Sequence, residues 1–328
     1  MQVTASAPGK AILFGEHAVV YGKPAIAMAL SKRAQVKVTG RLDKKIQVNI
    51  RDLGIKEYIN LKENIVTSNS PEKGILKYVL NSVKSVHQES GLDIYIDVNV
   101  PIGGGLGSSA AVTVALIAAV SKYNNIDLKK KEIARLAHKV ELEVQNYASP
   151  LDTIISTYGG LIYLKDAKKI ISLDINHDIP VVIGFTDSGG NTMCSTDTGK
   201  LVGAVKIRKE SYPEIINPVI GSIEALTIEA KEAILNNDKK RIGELMNINH
   251  GLLDALGVNT LELSNMVYTA RVAGASGSKI TGAGGGGSII SFCPEGTEEV
   301  IAALKKIENA FKSDISKDGV KTTLKEVR

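Results

Sequence analysis

At 328 residues and 44% hydrophobic content the chain is long enough for two lobes with cores of their own, in the composition range of soluble globular proteins. Its formal charge of +5 comes from scattered Lys, with no Trp and only 4% aromatic residues. This argues against a nucleic-acid binder and suits an anionic small molecule. Two cysteines without CxxC, five histidines without HExxH, no signal-peptide pattern and no apolar run of bilayer length argue against a disulfide scaffold, structural zinc, zinc hydrolysis and a membrane protein, so a cytoplasmic location is expected.

The first 40 residues alternate as QVTASA, break at Pro8 and Gly9, and resume as KAILFGEHAVVYGKPAIAMAL. Lys10, Glu16 and His17 are titratable groups among apolar neighbours. Singly, such residues are strand-edge charges or a satisfied histidine, but three within eight positions around Gly15 suit a pocket wall. AQVKVTG, KKIQVNI and KEYINL read as hairpin strands over residues 34–62. A loop and a helix with Ile75, Val79 and Val83 on one face come next over residues 64–90, and His87 near its end suits the helix dipole.

LDIYIDVNV, residues 92–100, alternates as a half-buried strand and runs into PIGGGLGSSA and then AVTVALIAAV, which is too apolar for anything but a buried helix. Gly103, Gly104, Gly105 and Gly107 lack a Cβ, so a bulky group can press on bare backbone, while the N–H groups of the next helical turn favour an anion. A phosphate fits both features. Three rivals are weaker. Four glycines and two hydroxyls cost too much backbone entropy for a plain turn, and a Walker A loop needs a Lys that is absent. A dinucleotide fingerprint fits Gly105, Gly107 and Ala110, but its acid, Asp127, lies at a helix cap rather than a strand end.

A second helix is predicted over residues 128–147, with Ile133, Leu136, Ala137, Val140 and Val144 at helical spacing and Glu141 at the border of that stripe. Two helices after one strand argue against a doubly wound sheet. A border glutamate is usually solvated, but a magnesium–phosphate site needs a hard carboxylate. Glu141 is the candidate ligand, with Glu143 as its exposed control. Pro150 breaks the helix, and Asp152 and Thr153 are expected to start the next one. There Asp152 is either an N-cap or a base aimed into a cleft.

From residue 179 the chain changes style. PVVIGFTD reads as a strand, DSGGNTMCSTDTGK as a polar loop, and residues 200–270 as mostly helical, with His250 packed or half-exposed on a helix. KITGAGGGGSIISF then joins a second glycine cluster, read as a further wall over phosphate or substrate, to an apolar strand. The tail reads as one helix, EEVIAALKKIENAF, and one strand, VKTTLKEV. No internal repeat or low-complexity linker appears, so the lobes should share an interface.

Three blocks together resemble the GHMP small-molecule kinases over nearly the whole chain: SAPGKAILFGEHAVVYGKPAIAMAL (residues 6–30), PIGGGLGSSAA (101–111) and KITGAGGGGS (279–288). The wording FGEHAVVYG is that of members acting on mevalonate. The resemblance implies an α+β, two-lobed GHMP kinase fold. Its N-terminal lobe, residues 1–178, would carry a left-handed βαβ crossover, and its C-terminal lobe, residues 179–328, would be ferredoxin-like. Pro101, Ile102, Gly103, Gly104, Gly105, Leu106, Gly107, Ser108, Ser109, Ala110 and Ala111 would wrap the ATP phosphates, with Ser109 and Glu141 holding Mg²⁺. Asp152 would take the proton of the mevalonate 5-hydroxyl, Lys10 would keep that carboxylate ionised and orient the nucleophile, and Glu16 and His17 would face the substrate. The implied partners are ATP and mevalonate, with a homodimer as the family's assembly and no nucleic acid or membrane. Alternatives are phosphomevalonate or another small alcohol as acceptor, and a non-catalytic binding protein on the same fold. Two departures stand out. Gly104 replaces the Ser or Ala of relatives, which predicts a looser loop. Asp197 and Gly199 interrupt a Ser-Thr-basic pattern and displace Lys200, which motivates the alternative acceptor.

Overall fold

In a computed structural model, residues 1–60, 65–66, 73–86, 91–145, 149–166, 169–186 and 198–325 are described. The first half folds as strands β1 (Gln2–Phe14), β2 (Ala25–Arg41), β3 (Ile46–Ile50), β4 (Ile55–Asn60) and β5 (Ile65–Val66), helix α1 (Lys73–Ser85), strand β6 (Gly91–Val98), helices α2 (Ser108–Tyr123), α3 (Lys130–Gln145) and α4 (Pro150–Tyr158), and strands β7 (Leu161–Lys165) and β8 (Lys169–Ser172). The second half runs β9 (Val181–Phe185), α5 (Thr198–Ser211), α6 (Pro213–Leu235), α7 (Lys239–Ala255), α8 (Leu261–Val272), β10 (Gly277–Thr281), β11 (Ser288–Phe292), α9 (Glu298–Leu304), β12 (Asn309–Ser313) and β13 (Lys321–Lys325).

The burial pattern of β2 explains how the first sheet branches. Ala25 to Leu30 are all buried, and the first four of them pair with β7, whereas the stretch from Ala34 alternates buried with exposed residues and pairs with β6. A run covered on both faces becomes apolar throughout, while a run with one wet face alternates. The sheet has the order β13-β1-β2-β6-β3-β4-β5, antiparallel except for β3 beside β6, and the chain between that parallel pair includes α1. Helix α2 lies behind it, with Ala110 to Ser121 all buried, as its apolar sequence requires.

The second sheet, β10-β11-β9-β12, is antiparallel, with α5 to α8 between β9 and β10 and α9 between β11 and β12. This is the split βαβ order of a ferredoxin-like lobe. The architecture is thus α+β and two-lobed, and the expected division at 178 and 179 falls between β8 and β9. The final strand does not stay with the second sheet. Arg33 donates to Ser316 Oγ and the Asp318 carbonyl at 3.0 Å and to the Gly319 carbonyl at 2.6 Å, and β13 then pairs with β1.

The tail corrects one expectation. The predicted helix through Phe311 ends at Leu304, and Asn309 to Ser313 form β12 against β9, where Phe311 packs edge-on to Phe185 with ring centroids 5.9 Å apart. Strand pairing and aromatic burial outweigh the local helical pattern. His87, Cys194 and Asp197 lie outside the described residues, while Gly199 and Lys200 fall in α5. Among the described residues no helix is long and apolar enough to cross a membrane.

Helix α7 crosses β10 at a glycine pair. A Cβ on Gly243 would lie 2.6 Å from the Ser276 carbonyl oxygen, and one on Gly277 would lie 2.4 Å from the Gly243 carbonyl oxygen. Asn247 stitches the same crossing by accepting from Ser278 N at 3.1 Å and donating to the Ser276 carbonyl at 3.2 Å. On an exposed helix Gly→Ala gains up to about 1 kcal/mol. Here the sign should reverse: Gly243→Ala is expected to destabilise by about 1–3 kcal/mol through overpacking, measured by denaturant unfolding.

Candidate active site

The site is built where β1 meets the first glycine loop. The register of β1 against β2 shifts between Pro8 and Lys10, and at that irregularity Lys10 N donates to the Leu106 carbonyl at 2.8 Å. Gly107 serves the same approach twice: its φ of +71° favours glycine, and a Cβ there would lie 2.8 Å from Lys10 Cγ. The Lys10 stem is therefore laid along the loop. Its Nζ stands 3.1 Å from Asp152 Oδ1, with the lysine side chain 5% exposed and the aspartate 30%.

Asp152 is not the N-cap of its helix. Ser149 is, accepting from Leu151 N at 3.3 Å, with Pro150 in the first turn. Helix α4 thus starts two residues earlier than expected, and the capping role that could have explained Asp152 is already filled. Helix α2 shows the opposite condition. It opens at Ser108 after Gly107, and no side chain caps it, so the donors of its first turn have no side-chain competitor for an anion.

Glu141 lies on the buried side of α3, not at a solvated border. Burial first, and the charge of Asp152 second, push its carboxyl up to about 8, against the opposing pull of Lys10. A cation arriving here would relieve that cost. Among the described residues no group of three His, Cys, Asp or Glu forms a metal cage. Mg²⁺ usually takes one or two carboxylates and draws its other ligands from phosphates and water. Glu141 is a buried carboxylate on α3, and Ser109 stands in the uncapped first turn of α2.

The second glycine loop, residues 282–287, lies against the back of the first. A Cβ on Gly287 would lie 3.2 Å from the Gly104 carbonyl oxygen, and one on Gly282 would lie 3.3 Å from the Gly105 carbonyl oxygen. At Gly104, expected to loosen the loop, a Cβ would fall 2.7 Å from Ser288 Oγ, a contact that the serine rotamer could relieve.

Glu16 and His17 sit at this interface. Glu16 forms a wholly enclosed ion pair with Lys279, and its other oxygen accepts from Asn249 Nδ2 at 3.1 Å. His17 adopts φ +58°, rare for a side chain, and its Nε2 lies 2.9 Å from the Ala283 carbonyl oxygen. Burial lowers its pKa. His250, expected to be packed or half-exposed, is buried on α7, and desolvation together with Arg271 and Lys279 brings its pKa down to about 4.

Sequence reasoning missed Tyr78, Gln145, Lys279 and Asn249. Tyr78 carried a signal, because it shares the apolar face of α1 with Ile75, and a buried phenol needs a partner. Gln145 Nε2 donates to its hydroxyl, and burial raises the pKa of the phenol. Lys279 was visible only as a charge before a glycine run. No spacing rule ties it to Glu16, 263 positions away.

The family model for the N terminal domain of GHMP kinases matches residues 73–160, and that for the GHMP kinases C terminal region matches residues 230–310. The mevalonate kinase of Methanothermobacter thermautotrophicus is 45% identical over 320 residues, covering 98% of this chain and 100% of its own. That of Pyrococcus furiosus is 42% identical, with 98% of each chain covered. Among solved structures, the Methanococcus jannaschii mevalonate kinase matches with a TM-score of 0.80 at 32% identity, covering 95% of this chain and 98% of its own. The L. major mevalonate kinase in complex with R-mevalonate matches with a TM-score of 0.80 at 24% identity over 94% of each chain, which speaks to the fold alone.

The buried carboxyl of Glu141 sets a pH dependence. Its folded pKa of about 8 lies above its ordinary 4.5, so the native state keeps a proton that the unfolded chain releases between those values. Stability of the unliganded protein should therefore fall as pH rises from about 4.5 to 8, and Glu141→Gln should remove that slope. Thermal unfolding at pH 5 and pH 8 checks this, with a relative shift in Tm on the order of a few °C expected.

Proposed function

The chain belongs to the GHMP kinases, and on that premise we propose that it transfers the γ-phosphoryl group of ATP to the 5-hydroxyl of mevalonate, giving 5-phosphomevalonate and ADP for isoprenoid precursor synthesis. The carrying observation is the pair of Lys10 and Asp152, 3.1 Å apart beside an uncapped helix start and a glycine loop. Two loops of bare backbone close to one carboxylate and one ammonium suit the transfer of a phosphoryl group to an alcohol.

In this reading the N–H groups at the start of α2 and along residues 103–109 hold the phosphates, spreading their charge over dipoles already oriented by the fold. Asp152 accepts the hydroxyl proton of mevalonate as its oxygen attacks. Lys10 holds that carboxylate in place and offsets the charge gathering at the attacking oxygen. A carboxylate is a weak base, but in a loose transition state the proton leaves late, so positioning counts for more than basicity. Glu141 and Ser109 would hold Mg²⁺, whose contribution when bound is to neutralise charge on the transferring phosphates.

His17 lies on the acceptor side, held through the Ala283 carbonyl, and Glu16 supports that wall through Lys279 and Asn249 rather than by reaching substrate with a free oxygen. The reading includes a homodimer and a cytoplasmic location as the family implies. Size-exclusion chromatography with light scattering addresses the former.

Coupled ADP release with Mg-ATP and a panel of mevalonate, 5-phosphomevalonate, galactose and homoserine should show turnover with mevalonate alone. Turnover with a different acceptor would keep the phosphoryl transfer and move the specificity. ATP binding without turnover on any of the four would turn the reading into that of a binding protein. Asp152→Asn should lower kcat by about 10²–10⁴, the usual worth of a positioned base, while nucleotide still binds. Near-normal turnover in that variant would remove Asp152 from its assigned role.

A further inference from the structure

A guanidinium carries five N–H donors in a fixed fork, and filling all of them requires several acceptors brought to one point. Arg33 on β2 is such a point. Toward β1 its Nε donates to Ser6 Oγ at 3.1 Å and its Nη2 to the Ser6 carbonyl at 3.0 Å. Toward the segment between β12 and β13 its Nη1 donates to Ser316 Oγ and the Asp318 carbonyl, and its Nη2 to the Gly319 carbonyl. That segment is a strap over the far end of α4. Val320 N donates to the Thr157 carbonyl at 3.1 Å, and the Ser316 carbonyl accepts from Gly160 N at 2.7 Å. The approach is backbone on backbone: a Cβ on Gly319 would lie 2.0 Å from the Thr157 carbonyl oxygen, and one on Gly159 would lie 2.4 Å from Gly319 N.

Both arms of this arrangement lead to the site. Ser6 lies on the strand that carries Lys10, and Arg33 stands opposite Pro8, the last pair before the register shift that precedes Lys10. Thr157 lies on the helix that carries Asp152, and its Oγ1 donates back to the Thr153 carbonyl at 2.6 Å, which joins the strapped end to the turn of the carboxylate. We infer that Arg33 is a positioning residue for the pair of Lys10 and Asp152, tying the strand of the lysine to the strap that holds the helix of the aspartate. The inference rests on the reading of Asp152 as the group that takes the hydroxyl proton. Helix α4 has only 9 residues, and its last carbonyls need partners from outside the helix. Ser149 serves its first turn, and the strap serves its last. A misplacement of about 1 Å caused by a distant substitution can cost about 10²-fold in rate. A lysine at position 33 offers its donors from one point and cannot span β1 and the strap together.

The test is a double-mutant cycle. With mevalonate as acceptor, kcat per molecule able to bind ADP is measured for the wild type, Arg33→Lys, Asp152→Asn and the double variant, with ADP affinity alongside. Arg33→Lys should lower kcat by about 10–100-fold while ADP affinity stays near that of the wild type. In the Asp152→Asn background the same substitution should cost less than about twofold, because a carboxylate already removed cannot be misplaced. Equal losses in both backgrounds are the mark of a general packing defect and overturn the inference. A large loss in Asp152→Asn beside less than about a twofold change in Arg33→Lys overturns the inference and leaves Asp152 in its role. No turnover by the wild type, or near-normal turnover in Asp152→Asn, overturns the reading and the inference with it. Should Arg33→Lys fail to fold, Ser316→Ala removes a hydroxyl that accepts from Arg33 and donates to the Asp318 carbonyl at 3.1 Å. A loss of more than about twofold confined to the background that keeps Asp152 is expected there, and an unchanged kcat or an equal loss in both backgrounds overturns the inference.

Discussion

The geometry of the cleft depends on one ion pair. Lys279 at the start of the second glycine motif and Glu16, two residues beyond β1, meet with both side chains wholly enclosed, and Lys279 also donates to the Ile280 carbonyl at 2.7 Å. Enclosed charges cost several kcal/mol each to desolvate, so such a pair is held by completeness rather than by net gain. Removing one partner typically costs about 3–5 kcal/mol, because the other is left uncompensated. The pair joins the segment just after β1 to β10. Thr281 adds a reciprocal contact, accepting from Ile12 N at 2.9 Å and donating to the Ile12 carbonyl at 3.0 Å.

This clamp brings the two glycine loops together. With β1 and β10 pinned to each other, residues 282–287 are carried to the back of residues 104–105, close enough that a Cβ on Gly282 or Gly287 would press on the carbonyl oxygens of Gly105 and Gly104. The first loop is then supported from behind by backbone, not by mobile side chains. Its face toward the cleft presents the uncapped start of α2 beside Lys10. The charge balance of the site is set by the same arrangement. Lys10 offsets two carboxylates, Asp152 directly and Glu141 at longer range, and the burial of Glu141 makes its charged form costly until a further cation arrives.

The candidate site positions were legible where chemistry and local conformation coincide. The glycine run before a buried helix, Asp152 after Pro150, and Lys10 after a strand break are all short-range patterns, and the structure brings Lys10 and Asp152 into contact. Legibility failed where a partner lies far along the chain. Asp152 was open to a capping role because nothing local says that Ser149 takes it. The helical pattern through Phe311 was overridden by pairing with β9, and Tyr78 passed for an ordinary core residue because its hydroxyl partner, Gln145, sits on another helix.

The sequence by itself determined the elements whose cause is local: the alternation of β6, the apolar length of α2, the two glycine runs and the resemblance they carry to one kinase family. The tertiary structure decided the rest. It placed the last strand on the first sheet, turned Glu16 into half of an enclosed pair, and laid the second glycine loop against the first. The physical reason is range: a backbone preference acts over a turn or a strand, whereas the worth of a charge, a phenol or a missing Cβ is set by whatever the fold brings against it.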